Sequence, residues 1–190
     1  PSPVITLPAP LFSPIPGQPI MEPPIPAWLA ASDELQASGS AAQLPAGLKL
    51  IIPVANVKVE QLLDTYTAAR SEGRVHNAID IMAPQGTSVL AAADGKIARL
   101  FNSDKGGITL YQFSSDQQVI FYYAHLQRYA DGVEAGRAVR QGETIAYVGD
   151  TGNAGPGNYH LHFAVWLVTD PKRYWDGLNV NPYPILKESR

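Results

Sequence analysis

From Leu48 onward the chain is a succession of short apolar and β-branched runs, each closed by Gly, Pro, Asn or Asp, and that rhythm leaves few folds open. Leu48 to Val54 is the first; then come Ala78 to Met82, Ser88 to Ala92, Lys96 to Asn102, Ile108 to Phe113, Val119 to His125, Thr144 to Gly149 and His160 to Val168. Runs of this length between turn residues are strands. Val59 to Leu63 has room for one helical turn, and no alternation of strands with helices appears. The expected fold class is therefore mainly β, an antiparallel sandwich or barrel-like sheet in a single domain. Asp94-Gly95 and Lys105-Gly106-Gly107 are expected to close hairpins, with Arg140-Gln141-Gly142-Glu143 acting similarly before Thr144.

The N-terminal stretch reads differently. Ten of the 26 residues from Pro1 to Pro26 are proline, which favours extended polyproline-like conformations over a packed core. Residues 1–47 are expected to form a Pro-rich arm or linker that tethers or wraps, and residues 48–190 the folded domain. A short helix can start after Pro26 and run from Ala27 to Ala37 before Ser38-Gly39-Ser40. Because the chain opens on Pro1, a processed precursor or a trimmed product is expected.

Charge and composition remove several function classes. Residues 1–45 hold Glu22, Asp33 and Glu34 and no Lys or Arg, leaving 14 acidic and 14 basic residues in the remainder. A nucleic-acid binder needs a basic surplus or stripe, so no nucleic-acid partner is expected. No apolar run approaches the roughly 20 residues of a transmembrane helix. With no cysteine, a metal must be held by histidine and carboxylate.

Only four histidines occur: His76, His125, His160 and His162. His160 and His162, two apart at the start of a buried run, point the same way on an extended backbone. Such imidazoles repel when both are protonated and gain when a dication lies between or beside them. In Arg74-Val75-His76-Asn77-Ala78-Ile79-Asp80-Ile81-Met82, strand-like alternation puts His76 and Asp80 on one face. Alone that pair reads as a hydrogen-bonded His and Asp rather than as metal ligands. Together the two segments offer three ligands plus a spare histidine, the composition of a catalytic zinc site that keeps a water position open.

His76-x-Ala78-x-Asp80, Tyr123-Ala124-His125-Leu126 and His160-Leu161-His162-Phe163 resemble the three signature segments of the lysostaphin-type, or LytM-type, zinc endopeptidases. Ala92-Ala93-Asp94-Gly95, Gly142-Glu143-Thr144-Ile145 and Gly149-Asp150-Thr151-Gly152 follow in family order, and Asn181-Pro182 resembles the usual tail. The resemblance runs from about Pro53 to Phe163 and implies a fold of the duplicated hybrid motif kind. It further implies that His76, Asp80 and His162 hold one Zn2+ per chain, while His125 and His160 stay off the metal and face its bound water. One imidazole would accept the water's proton as general base, and the other would stabilise the transition state. Ala78 stands where the family usually has Gly, and Asn158-Tyr159 where it usually has Gly-Pro; the second change alters a cleft wall.

The implied activity is hydrolysis of peptide stems or cross-links of bacterial peptidoglycan by an exported protein of the cell envelope, periplasmic or extracellular, with the arm as a possible tether. Some relatives lack ligands and act as amidase activators, an alternative that the intact five residues oppose. A biotinyl or lipoyl carrier would need an exposed Lys at a hairpin tip, and none appears. Tyr122 and Tyr123 are expected in the core, as is Trp166, whereas Tyr174 and Trp175 can offer a stacking surface. Arg74 can orient a carboxylate or stay solvated.

Overall fold

The computed structural model describes residues 44–69, 73, 75–170 and 173–188. The Pro-rich segment to residue 43, with the short helix expected over 27–37, and Arg74 lie outside the described residues. Among the described residues nine strands run in the order β1 (Ile79–Met82), β2 (Ser88–Leu90), β3 (Gly95–Ser103), β4 (Gly107–Ser114), β5 (Val119–Tyr129), β6 (Ala138–Val139), β7 (Thr144–Val148), β8 (His160–Val168) and β9 (Gly177–Val180), followed by helix α1 (Pro182–Lys187). Every pairing among them is antiparallel. The main sheet has the order β1-β8-β5-β4-β3-β6; β9 pairs with β8, and β7 joins β5 to β2. This is the mainly β, antiparallel architecture expected.

Alternation along β5 and β8 divides the side chains between two faces. Phe121, Tyr123, Leu161, Phe163 and Val165 enter the main core with Val89, Ile145 and Val148 from the β2/β7 layer. Ile120, Tyr122, Ala124, Ala164 and Trp166 take the other face, in a smaller cluster with Tyr111. The two adjacent tyrosines thus part company. Tyr123 is fully buried, donating to Gln112 Oε1 at 2.7 Å and accepting from Ala92 N at 2.9 Å; Tyr122 lies on the face that carries His162. Trp166 is buried as expected and donates to the Tyr174 carbonyl at 2.6 Å.

Some local expectations are corrected. The Lys105-Gly106-Gly107 turn does join the paired strands β3 and β4, but Asp94-Gly95 closes no hairpin, because β2 pairs with β7 while β3 pairs with β4 and β6. Gly95 serves a close approach instead: a Cβ there would collide with the Phe113 carbonyl oxygen. Gly142, at φ 82°, makes a true turn, yet it links β6 to β7, which are not partners. Leu48 to Val54 is no full strand. Pro53 has no N–H to give a ladder, and the run lies irregularly beside β2, with one bridge from Val54 to Val89. Val59–Gln61 is a single 3₁₀ turn. Leu44, expected in the arm, packs against the core.

Candidate active site

All four histidines and Asp80 gather at one end of the face shared by β1, β5 and β8. Register delivers three of the five: Asp80 is paired with His162, and Met82 with His160. His160 and His162 point the same way, as expected of residues two apart in a strand.

His76 arrives by another route, and here the strand reading is corrected. β1 begins only at Ile79, and extended residues four apart would stand about 13 Å from each other. Asn77 takes the left-handed conformation, φ 54°, which folds His76 back so that its Nε2 lies 3.0 Å from Asp80 Oδ1. Asn is among the few non-Gly residues that adopt this conformation readily.

His125 also depends on a left-handed residue, itself, at φ 59°. It lies where β5 exchanges one neighbour for another: β8 pairs with β5 as far as Ala124, and β7 takes over at Leu126. The β4–β5 register slips at the same place. Such a bulge turns one side chain out of the alternation, and it aims the His125 ring at His160, with centroids 4.9 Å apart.

Three rings are oriented by main-chain carbonyls. Nδ1 of His76, His125 and His160 donates to Thr65 O (2.8 Å), Thr151 O (2.8 Å) and Asn158 O (2.7 Å) respectively. A carbonyl can only accept, so each Nδ1 carries the hydrogen and each Nε2 of the neutral ring presents a lone pair. His76 Nε2, His162 Nδ1 and Asp80 Oδ1 form a triangle with edges of 2.9, 3.0 and 3.2 Å. His160 Nε2 lies just outside it, 3.7 Å from Asp80 Oδ1. Tyr122 meets His162 edge to face, centroids 6.1 Å apart.

The donor set fits a metal. Three electron-rich atoms converge at a separation that repels unless a cation sits among them. A tetrahedral zinc with bonds of about 2.1 Å spaces its ligands about 3.4 Å apart, so the triangle would open by roughly 0.2 to 0.5 Å to accept one. His76, Asp80 and His162 form the group of His and acidic side chains suited to an ion among the described residues.

The electrostatics agree. Burial pushes the Asp80 carboxyl up, but hydrogen bonds and charge from the protonated forms of His162 and His76, which put positive charge where a cation would sit, outweigh it and hold the group well below the usual carboxylate range. Burial, with repulsion from His162 and His160, pushes His125 down to about 4, against the upward pull of the Thr151 carbonyl and Asp80. His125 is therefore a neutral imidazole at physiological pH.

The five residues expected from the sequence are thus brought together. Those missed are the ones that hold them: Asn77, Thr65 and Thr151. Thr151 sits in the Gly149-Asp150-Thr151-Gly152 segment and Asn77 in a residue type tolerant of positive φ, so each left a trace; Thr65 left none.

Comparison with known proteins gives the chain's family. Residues 74–182 match the model of peptidase family M23. The chain is 42% identical over 100 residues to the DD-carboxypeptidase/endopeptidase Mpg of Neisseria meningitidis serogroup B, covering 52% of this chain and 21% of that protein. It is 36% identical over 91 residues to the peptidoglycan DD-endopeptidase ShyC of Vibrio cholerae, covering 47% and 20%. The chain therefore spans about a fifth of the length of these curated relatives. Among solved structures, the catalytic domain of lysostaphin from Staphylococcus simulans superposes with a TM-score of 0.56 at 27% identity, over 67% of this chain and 92% of that one. With more than half of its 190 residues matched by the family model, and with the fold and motifs in agreement, the chain belongs to peptidase family M23.

Proposed function

We propose that the protein is a zinc-dependent endopeptidase that hydrolyses peptide stems or cross-links of bacterial peptidoglycan, with His76, Asp80 and His162 holding the metal and His125 and His160 assisting the chemistry. The observation that carries this reading is the ligand triangle, whose three atoms converge within 3.2 Å beside two further imidazoles. A zinc held by these three residues would supply Lewis acidity, bringing the pKa of water toward about 7 and polarising a carbonyl.

The rest falls to the protein. His125, neutral and with Nδ1–H engaged by Thr151 O, offers Nε2 as an acceptor that orients the attacking water. His160 Nε2 lies 3.7 Å from Asp80 Oδ1, and it takes the water's proton as the carbonyl carbon is attacked. The imidazolium so formed stabilises the developing oxyanion and then delivers the proton to the leaving amine as the peptide bond breaks. Thr151 and Asn158 keep the two rings in the required tautomer through both transfers.

In this reading residues 48–190, with Leu44 packed against their core, form the peptidase unit and the Pro-rich segment before them an arm, and the place of action is the bacterial envelope. The names of the relatives above support peptidoglycan as the substrate class. The test is mass spectrometry of fragments released from purified peptidoglycans of different cross-link chemistry. Cleavage at stem or cross-link peptide bonds, abolished by a chelator and restored by zinc, is expected; release of glycan fragments with peptides intact would contradict it.

A further inference from the structure

Thr65 touches two of the three ligand residues at once. Its carbonyl receives His76 Nδ1–H at 2.8 Å, and its hydroxyl oxygen receives the Asp80 backbone N–H at 3.0 Å. The first contact fixes the His76 ring so that Nε2 faces the triangle; the second fixes the strand position from which the Asp80 carboxylate projects. The ligand atoms of these two residues and of His162 converge at 2.9 to 3.2 Å.

The segment carrying Thr65 is itself held at several points. Leu62 anchors it in the core, only 5% exposed. Ala68 O accepts from His76 N at 3.0 Å and Tyr66 O from Asn77 N at 2.9 Å, so residues 65–69 run alongside the approach to β1. Asp64 accepts from Tyr66 N at 3.1 Å through Oδ1 and from Asn181 Nδ2 at 3.4 Å through Oδ2. Asn181 is the N-cap of α1, its Oδ1 accepting from Tyr183 N at 2.9 Å. The Asn181-Pro182 tail, which the chemistry leaves unused, is thereby joined to the metal half of the site.

We propose that Thr65 is the positioning residue for His76 and Asp80, and that the cap of the C-terminal helix steadies it through Asp64; this rests on the zinc reading above. An outer contact of this kind sets ligand orientation, and its loss is expected to weaken metal binding by about 10- to 100-fold. A contact serving the fold alone would lower the stability of the metal-free protein and leave metal affinity unchanged.

The experiment measures zinc affinity of the full chain by competition with a chromophoric chelator, alongside the thermal midpoint of the metal-free protein and the absorption spectrum of the cobalt-loaded form. Thr65→Val removes the hydroxyl at nearly constant volume and is expected to weaken affinity about 10- to 100-fold and shift the cobalt bands. Thr65→Ser keeps the oxygen and should restore both. Thr65→Ala removes the same oxygen without adding bulk and decides the matter if the valine variant does not fold. Asn181→Asp keeps the cap acceptor, removes the Nδ2 donor to Asp64 and should weaken affinity by a smaller factor. Wild-type affinity in Thr65→Val or Thr65→Ala, or a loss that Thr65→Ser does not reverse, overturns the proposal. Failure of the wild-type chain to take up zinc overturns the metal reading itself, which separates the two failures.

Discussion

His76 Nε2 and Asp80 Oδ1 stand 3.0 Å apart although only three residues separate them on a backbone that is extended from Ile79. The left-handed Asn77 makes this possible. One of the three ligands, His76, therefore depends on one backbone conformation, and the other two on the Asp80–His162 register of β1 and β8.

Substitution at Asn77 should expose that dependence. Asn77→Gly adopts φ 54° freely and is expected to retain the metal and the fold. A β-branched residue in this region costs roughly 1–2 kcal/mol or more, so Asn77→Val should lower the thermal midpoint and zinc uptake together. Equal zinc content in the two variants would remove the role given to the kink.

The His125 anchor should be equally sensitive. Gly107, at φ 63°, lies so close to Thr151 and Gly152 that an added Cβ would collide with both. Thr151 O orients His125, and its hydroxyl donates to Leu126 O at 2.7 Å while accepting from Ile108 N at 3.0 Å. Gly107→Ala is expected to cost more than about 1 kcal/mol of stability and to reduce turnover while zinc stays bound. Calorimetry and zinc analysis on one sample check both halves.

Acidification should destabilise the metal-free protein in a definite window. His125 titrates at about 4 when folded and near 6.5 when unfolded, so between those values the unfolded chain binds more protons and stability rises with pH. The contribution is complete above the unfolded value and fades as pH falls toward 4, amounting to something on the order of 3 kcal/mol. Asp80, whose folded value is depressed, adds a further loss below its unfolded value of about 3.9. Chemical denaturation from pH 7.5 to 4 should show falling midpoints, and His125→Gln should flatten the slope; an unchanged slope in that variant would refute the assignment.

Much of this was legible in the chain. β8 runs from His160 to Val168, the bounds read from its apolar run, because a buried strand needs continuous apolar residues and a polar loop before it. Asp80 and His162 meet as expected, since ligands on paired strands need only register, whereas His76 and His125 need the left-handed conformations of Asn77 and of His125 itself. Three kinds of feature escaped. Asp94-Gly95 looks like a hairpin turn, but whether a glycine serves a turn or a close approach depends on what packs over it, here the Phe113 carbonyl. β6 and β9 are two and four residues long and exist only through their partners β3 and β8. Thr65 and Thr151 act through hydrogen bonds to His76 and Asp80, 11 and 15 residues away, and to His125, 26 away; the segment around Thr151 is legible, but no local pattern records the contacts themselves.

The division of labour among the four histidines is the central claim, and zinc stoichiometry with turnover on four single alanine variants tests it most directly. His76→Ala and His162→Ala should lose zinc together with activity, each removing a corner of the ligand triangle. His125→Ala and His160→Ala should keep close to one zinc per chain while turnover on peptidoglycan peptides falls on the order of 10²-fold or more. Zinc lost from His160→Ala but retained by His162→Ala would contradict the account.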